Sequence, residues 1–261
     1  MNIDLKGKKA IVCGSTQGIG RAAAMELAGM GADIILIARN ESALRETMSQ
    51  LPSAGQKHDF IVADFSKPDE LKLLVENWIK KNGPVQILVN NTGGPPGGPI
   101  TSAKNEDFVS TFTQHVICNQ VLATTVLEGM KSSGYGRIIN IISTSVKIPL
   151  KNLGVSNTIR AAVGNWSKTW ANEVAQFGIT VNNVLPGATA TQRLQSILEA
   201  RSAKTGMPLE KVKEEMIDEI PMKRFAKPEE VAQAVAFLAS PSASYITGIN
   251  IPVDGGRTGN L

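Results

Sequence analysis

The stretch VCGSTQGIGRA, Val12 to Ala22, decides how the rest of the chain is read. A β-branched run, KKAIVCG, leads into it, and a helical pattern, GRAAAMELAGMGA, leads out. A glycine-rich turn between strand and helix brings bare backbone to a helix N-terminus, where free N–H groups and the dipole favour negative charge. Gly14, Gly18 and Gly20 therefore read as a pyrophosphate cradle, with Ser15, Gln17 and Ile19 completing the turn. The spacing is G-x-x-x-G-x-G rather than the G-x-G-x-x-G of other dinucleotide folds. Taken alone, an ordinary tight turn explains three glycines equally well.

Working outward, strand and helix patterns alternate. DIILIAR, HDFIVADF, VQILVNN, GRIINIIS, ITVNNVLP and INIPVDGG read as strands. NESALRETMSQL, PDELKLLVENWIKKNG and the spans from about Glu106 to Met130 and Ser156 to Phe177 read as helices. The strands are apolar on both faces, as strands covered by helices on both sides must be. The expected fold is α/β, a single-domain Rossmann-like doubly wound parallel sheet over residues 1–261. A segment at about 192–224, helical but broken by TGMP, follows a strand's C-terminal end and is expected to form a substrate lid or a plain surface excursion.

Composition narrows the classes. The chain has 261 residues, 42% hydrophobic and 19% charged, enough to bury a sizeable core. A net charge of +4 is scattered, with no basic stripe for nucleic acid. Two cysteines, Cys13 and Cys118, make no metal spacing and fit a reducing compartment. MNIDLKGKKA lacks the apolar segment of a signal peptide, and no run approaches the roughly 18 apolar residues of a membrane span. The expectation is a cytoplasmic protein with no nucleic-acid or membrane partner.

NNTGG (Asn90–Gly94), NIIS (Asn140–Ser143), VNNVLPGATAT (Val181–Thr191) and PEEVAQAVAFLAS…ITG…VDGG follow the glycine turn in order. With these motifs the sequence resembles the short-chain dehydrogenase/reductase family over essentially its whole length, and most of all its 3-oxoacyl-(acyl carrier protein) reductase-like members. The resemblance implies that Asp64 meets an adenine, that Asn90 and Gly93 shape the cofactor floor, and that Pro186, Gly187 and Thr191 hold the nicotinamide end. Asp64 reads also as a strand-end cap and Thr191 as an N-cap. An acidic residue about 20 positions past the glycines would bind a ribose 2′-OH. Ala38 and Arg39 stand there instead, and a guanidinium pairs bidentately with a 2′-phosphate, so NADP(H) is expected over NAD(H). Gln17 counts the other way, since many NADP-preferring relatives are basic there.

The resemblance also implies a tyrosine that supplies the proton, a lysine that lowers its pKa, a serine that orients the carbonyl and a supporting asparagine. Ser143 matches the serine. The tyrosine position, thirteen residues on, is Ser156, the lysine position four beyond is Arg160, and the asparagine position is His115. The chain's two tyrosines, Tyr135 and Tyr245, fall near the wrong end of a strand and in SASYITG. General acid catalysis is typically worth ~10²–10⁴-fold, so the loss matters. Arg160 can stabilise a developing alkoxide by charge. His115 or Lys147 would deliver the proton, although a packing histidine and a solvated loop lysine are equally natural readings. The loop NNTGGPPGGPI, with four glycines and three prolines, either offers N–H donors or simply turns.

The expected activity is that of an NADP-dependent oxidoreductase on a small carbonyl or alcohol, 3-oxoacyl-like substrates included, through an altered site. The alternative is a catalytically silent nucleotide-binding sensor or scaffold. The resemblance implies a homotetramer or homodimer through the helices at Glu106–Met130 and Ser156–Phe177. Trp166 and Trp170, at i and i+4, serve either that interface or the core.

Overall fold

The computed structural model of the chain describes residues 1–259. Among them, seven strands form one sheet in the order β3-β2-β1-β4-β5-β6-β7, every neighbouring pair parallel. The strands are β1 (Lys9–Cys13), β2 (Asp33–Ala38), β3 (Asp59–Val62), β4 (Ile87–Asn90), β5 (Gly136–Ile141), β6 (Ile179–Pro186) and β7 (Asn250–Val253). Strand order reverses between β1 and β4. The crossovers leave a crevice beyond the carboxyl ends of those two strands, the place where open α/β sheets bind ligands.

Side-chain alternation along each strand feeds two cores. Ala10 and Val12 of β1 face the layer of α1 (Gly18–Gly29) and α9 (Pro228–Ala239). Ile11 and Cys13 face the layer of α3 (Pro68–Asn82), α5 (Cys118–Ser133) and α6 (Gly154–Val174). In β2 the run Ile34–Ile37 is wholly excluded from solvent, each such side chain stabilising the fold by about 1.5–3 kcal/mol. This is why the strands read as unbroken apolar runs.

A row of asparagines crosses four strands of the sheet. Asn90, Asn140, Asn183 and Asn250 are register partners on β4, β5, β6 and β7. Each amide donates to the next: Asn90 Nδ2 to Asn140 Oδ1 at 2.8 Å, Asn140 Nδ2 to Asn183 Oδ1 at 2.9 Å, and Asn183 Nδ2 to Asn250 Oδ1 at 2.8 Å. The ladder pins the register of the four strands just below the crevice. At its end, Asn90 Oδ1 has no partner among the described residues.

Two helical spans differ from expectation in detail. The span expected at Glu106–Met130 is α4 (Asn105–Phe112) and α5, joined through one wider π turn at Thr113–Ile117 that carries His115. Such turns often sit at functional sites. The expected lid segment folds as α7 (Gln192–Thr205) and α8 (Leu209–Asp218), separated at Gly206, whose φ of +72° ends the first helix. Leu194, Leu198 and Val212 give this excursion an apolar cluster of its own. Its neck is closed by Ala190 N–H to Ala226 O and Ala226 N–H to Ala188 O, at 2.8 and 3.0 Å. No helix among the described residues is long and apolar enough to cross a membrane.

Candidate active site

The crevice is a cleft of about 810 Å³ that runs from the ends of β2 and β3, past the glycine turn, to the first turns of α6 and α7. At the glycine turn the backbone is packed to its limit. A Cβ on Gly14 would lie 2.7 Å from the Asn91 side chain, at a φ of +56°, and one on Gly20 would lie 2.2 Å from Gly14 O. Asn91 Nδ2 in turn donates to Cys13 O and Gly14 O, both at 3.2 Å, locking the β4 end to the turn. The cap residue of α1, Gln17, makes no side-chain bond to the helix, and the first turn holds no acid. Its N–H groups therefore face the cleft uncapped and able to receive an anion.

Gly14, Gln17, Gly18, Ile19, Arg39, Asp64, Gly93, Pro186, Gly187 and Thr191 all line this cleft. Three expected cofactor residues do not. Ser15 is wholly buried with its hydroxyl toward Ile37 O, Gly20 packs against Gly14, and Asn90 belongs to the amide ladder, Asn91 taking its place at the cleft wall. Asp64 Oδ1 accepts from Ser66 N–H at 2.9 Å, and that bond is the first cause holding its carboxyl below the usual range. Thr191 caps α7, accepting from Leu194 N–H at 3.3 Å. Both cap readings thus coexist with a place on the cleft.

The same cleft is lined by Ser143, Ser156 and Arg160. Ser143 ends the β5 run and accepts from Ser145 N–H at 3.1 Å, which leaves its hydroxyl proton to a substrate oxygen. Ser156 lies in the first turn of α6, half-buried, and Arg160 follows one helical turn later. Asn157 fixes that helix start through Nδ2 to Leu150 O at 2.8 Å. The Arg160 guanidinium is only 8% exposed and donates to Ile141 O at 3.0 Å. Burial first, then the neighbouring charge of Arg193, pulls its pKa down to about 10, so it stays cationic at neutral pH.

His115 and Lys147 stand outside the cleft lining. His115, 4% exposed, is bonded through Nδ1 to the Thr92 hydroxyl at 2.7 Å and through Nε2 to Gly93 O at 3.1 Å. Burial, and then Arg160, holds its pKa well below 6.5. The ring is therefore neutral and sits behind the loop. Lys147 follows the short turn Thr144–Val146, half-buried. Neither tyrosine reaches the site: Tyr135 donates to Ala239 O at 2.6 Å behind the sheet, and Tyr245 is fully exposed.

The glycine–proline loop is tied down by backbone. Gly98 N–H donates to Asn152 O at 2.7 Å, and Gly154 N–H donates to Gly98 O at 3.1 Å. Gly154 itself touches Ile100, where a Cβ would lie 2.5 Å away. The loop is thus a wall that seats the start of α6, and Arg193 Nη2 reaches it from α7, donating to Pro95 O at 2.5 Å. Arg193 escaped the sequence reading. The available signal was a basic residue two positions past Thr191, at the start of the expected lid. Trp166 and Trp170, with ring centroids 5.9 Å apart, both donate to Gln120 Oε1 and fasten α6 to α5.

Known proteins resemble this chain from end to end. The profile of the family described as enoyl-(acyl carrier protein) reductase matches residues 14–258. The NADPH-dependent reductase BacG of Bacillus subtilis (strain 168) is 33% identical over 253 residues, covering 95% of this chain and 97% of its own. The 3-oxoacyl-[acyl-carrier-protein] reductase FabG of Pseudomonas aeruginosa is 32% identical over 256 residues, 97% and 98% of the two chains. Among solved structures, the L-sorbose reductase of Gluconobacter frateurii complexed with NADPH and L-sorbose superposes with a TM-score of 0.93 at 33% identity, over 100% of both chains. A sheet with its crevice at the strand-order reversal and likeness along the full length agree, and the chain belongs to the short-chain dehydrogenase/reductase family as a 3-oxoacyl-(acyl carrier protein) reductase-like member.

Proposed function

We propose that this chain is an NADP-dependent oxidoreductase acting on a small carbonyl or alcohol, within the range of 3-oxoacyl-like compounds. One observation carries the reading: a single cleft is lined both by the glycine turn and by Ser143, Ser156 and Arg160. The residues fit the cofactor. The uncapped start of α1 takes the pyrophosphate, the exposed Arg39 pairs with a 2′-phosphate, and the last residue of β2 is Ala38 rather than a carboxylate. NADP(H), when bound, supplies or accepts the hydride.

The chain's own residues then manage the oxygen. As hydride reaches the carbonyl carbon, the C=O electron pair moves to oxygen and negative charge develops there. Ser143 donates its hydroxyl proton in a hydrogen bond to that oxygen, Ser156 offers a second hydroxyl, and the buried Arg160 charge stabilises the oxyanion in a low-dielectric site. Among the described residues the cleft lining holds no histidine, cysteine, lysine or tyrosine, so solvent water protonates the alkoxide. His115, expected as a donor, acts instead as a positioning residue for Thr92 and Gly93, and Lys147 has no direct part. The excursion of α7 and α8 closes over the substrate, drawn to the loop by Arg193. Val109, Phe112 and Ile117, exposed on the α4–α5 span, supply a face for a homodimer or homotetramer.

The test is a fluorescence titration with NADPH and NADH, followed by NADPH oxidation with a panel of ketones, 3-oxo esters, 3-oxo acids and quinones. Tight NADPH binding with turnover supports the proposal. Binding without turnover on any carbonyl class favours the silent nucleotide-binding reading, and absence of binding overturns both.

A further inference from the structure

Among the described residues, four arginines have carboxylate partners within 4 Å: Arg45, Arg201, Arg224 and Arg257. Arg137, buried without a carboxylate, is satisfied instead by the carbonyls of Gly136, Gly178 and Ser240 and by the Tyr135 ring. Arg160 and Arg193 are different. Among the described residues neither has a carboxylate partner, and each donates only to a backbone carbonyl, Ile141 O and Pro95 O respectively. A guanidinium carries five N–H donors, so most of their capacity is unused.

Placement makes the shortfall informative. Arg160 is more than nine-tenths buried, on the α6 wall of the cleft. Arg193 is half-buried, on the α7 wall. Both side chains line the same cleft, and the charge of Arg193 helps depress the pKa of Arg160. Buried charges are normally paired, because desolvation without a counter-charge is unfavourable. His115, whose pKa Arg160 helps depress, is neutral and supplies no negative charge. The only carboxylate on the cleft wall is Asp64, among the β3-end residues of the nucleotide half.

We infer that Arg160 and Arg193 form a carboxylate clamp, and that the substrate is an oxo acid, or the matching hydroxy acid, rather than a neutral ketone, ester or thioester. The inference rests on the oxidoreductase reading and narrows it. A planar guanidinium matches a carboxylate in bidentate geometry, and two of them lining one cleft hold the acid group while Ser143 holds the oxygen to be reduced. Because Arg193 belongs to the mobile-lid candidate, the same carboxylate that satisfies Arg160 also draws α7 onto the cleft. The nucleotide's phosphates are the competing anions. The expected pyrophosphate place at the α1 N-terminus adjoins the start of α7, where a Cβ on Gly18 would stand 3.1 Å from Thr191 Cγ2, so NADPH affinity is the readout that separates the two anions.

The experiment compares matched pairs of probes on the NADPH-saturated protein: aliphatic and aromatic 2-oxo and 3-oxo acids, each against its methyl ester, by calorimetric titration. NADPH affinity is measured separately for every variant. The expected result is that at least one acid binds tenfold or more tighter than its ester. Arg193→Met and Arg160→Met should each remove that preference, leave ester binding in place and leave NADPH affinity within twofold for Arg193→Met. Arg193→Lys, which keeps the charge without the fork, should restore only part of the preference. Equal binding of acids and esters, or no binding of any acid, overturns the inference. So does a tenfold loss of NADPH affinity in Arg193→Met, which would assign the pair to the nucleotide's phosphates. Failure of NADPH to bind the unaltered protein is a different result: it removes the oxidoreductase reading, and the acid–ester comparison on the nucleotide-free protein then tests the clamp alone.

Discussion

Two polar constellations of this protein, the asparagine ladder and the arginine pair, obey opposite rules. The asparagine ladder crosses β4 to β7 with every amide nitrogen bonded to the next carbonyl, apart from a terminal oxygen at Asn90. The arginine pair in the cleft has no carboxylate partner among the described residues, and each guanidinium donates only to one backbone carbonyl. A satisfied buried network holds structure, since its bonds are stronger in the low-dielectric interior and its loss leaves orphans. An unsatisfied buried charge lowers stability and persists where a ligand completes it. The comparison separates scaffold from site without appeal to any relative.

The largest effect should come from the ladder. In Asn140→Leu, a side chain of similar volume leaves Asn90 Nδ2 and Asn183 Oδ1 buried without partners. Two orphaned groups cost about 2–5 kcal/mol of stability, read from the urea midpoint. Neither NADPH nor an oxo acid should alter the size of that loss. A loss below about 1 kcal/mol would mean that water or a strand shift re-satisfies the amides, and the ladder would no longer contrast with the cleft.

The clamp predicts the opposite sign. Arg160→Met replaces an unpaired buried cation with an apolar chain of similar length, at the loss of one bond to Ile141 O. The ligand-free protein should gain about 1 kcal/mol or stay level, because apolar replacements of buried charge are often neutral or stabilising. Marked destabilisation, matching the ladder variant, would show that Arg160 holds the fold and would erase the distinction.

These two constellations differ as much in how far the sequence discloses them. The doubly wound sheet was legible because β1, β2 and β4–β6 are apolar on both faces and the glycine turn follows the first strand. Ser143, Ser156 and Arg160 were picked out by the family resemblance, and all three line the cleft. The ladder was not, since Asn90, Asn140, Asn183 and Asn250 lie far apart in sequence, and only sheet register brings them level. Arg193 was hidden for the same reason: nothing in a helical pattern says that its first turn shares a cleft with a buried arginine. His115 was singled out by position, but its burial and its bonds to Thr92 and Gly93 cannot be seen along a chain.

His115 gives the finest test, since it lies between the two cases. Its ring is satisfied by Thr92 and Gly93, as a ladder member would be, yet it feels the unpaired charge of Arg160. Its folded-state pKa is depressed below 6.5, so below pH 6.5 the unfolded chain takes up a proton that the folded protein refuses. The contribution is therefore fully present above pH 6.5 and declines as pH falls, by at most about 1.4 kcal/mol per pH unit until the folded pKa is reached. His115→Gln keeps a donor and an acceptor for the loop but removes the titration. The stability difference between wild type and variant should thus be level from pH 8 to 7 and shift against the wild type between pH 6.5 and 5.5. A difference that stays constant across that range would show that the imidazole accepts its proton in place. The loop behind the cleft would then tolerate a third positive charge, and Arg160 would have to be less confined than its burial implies.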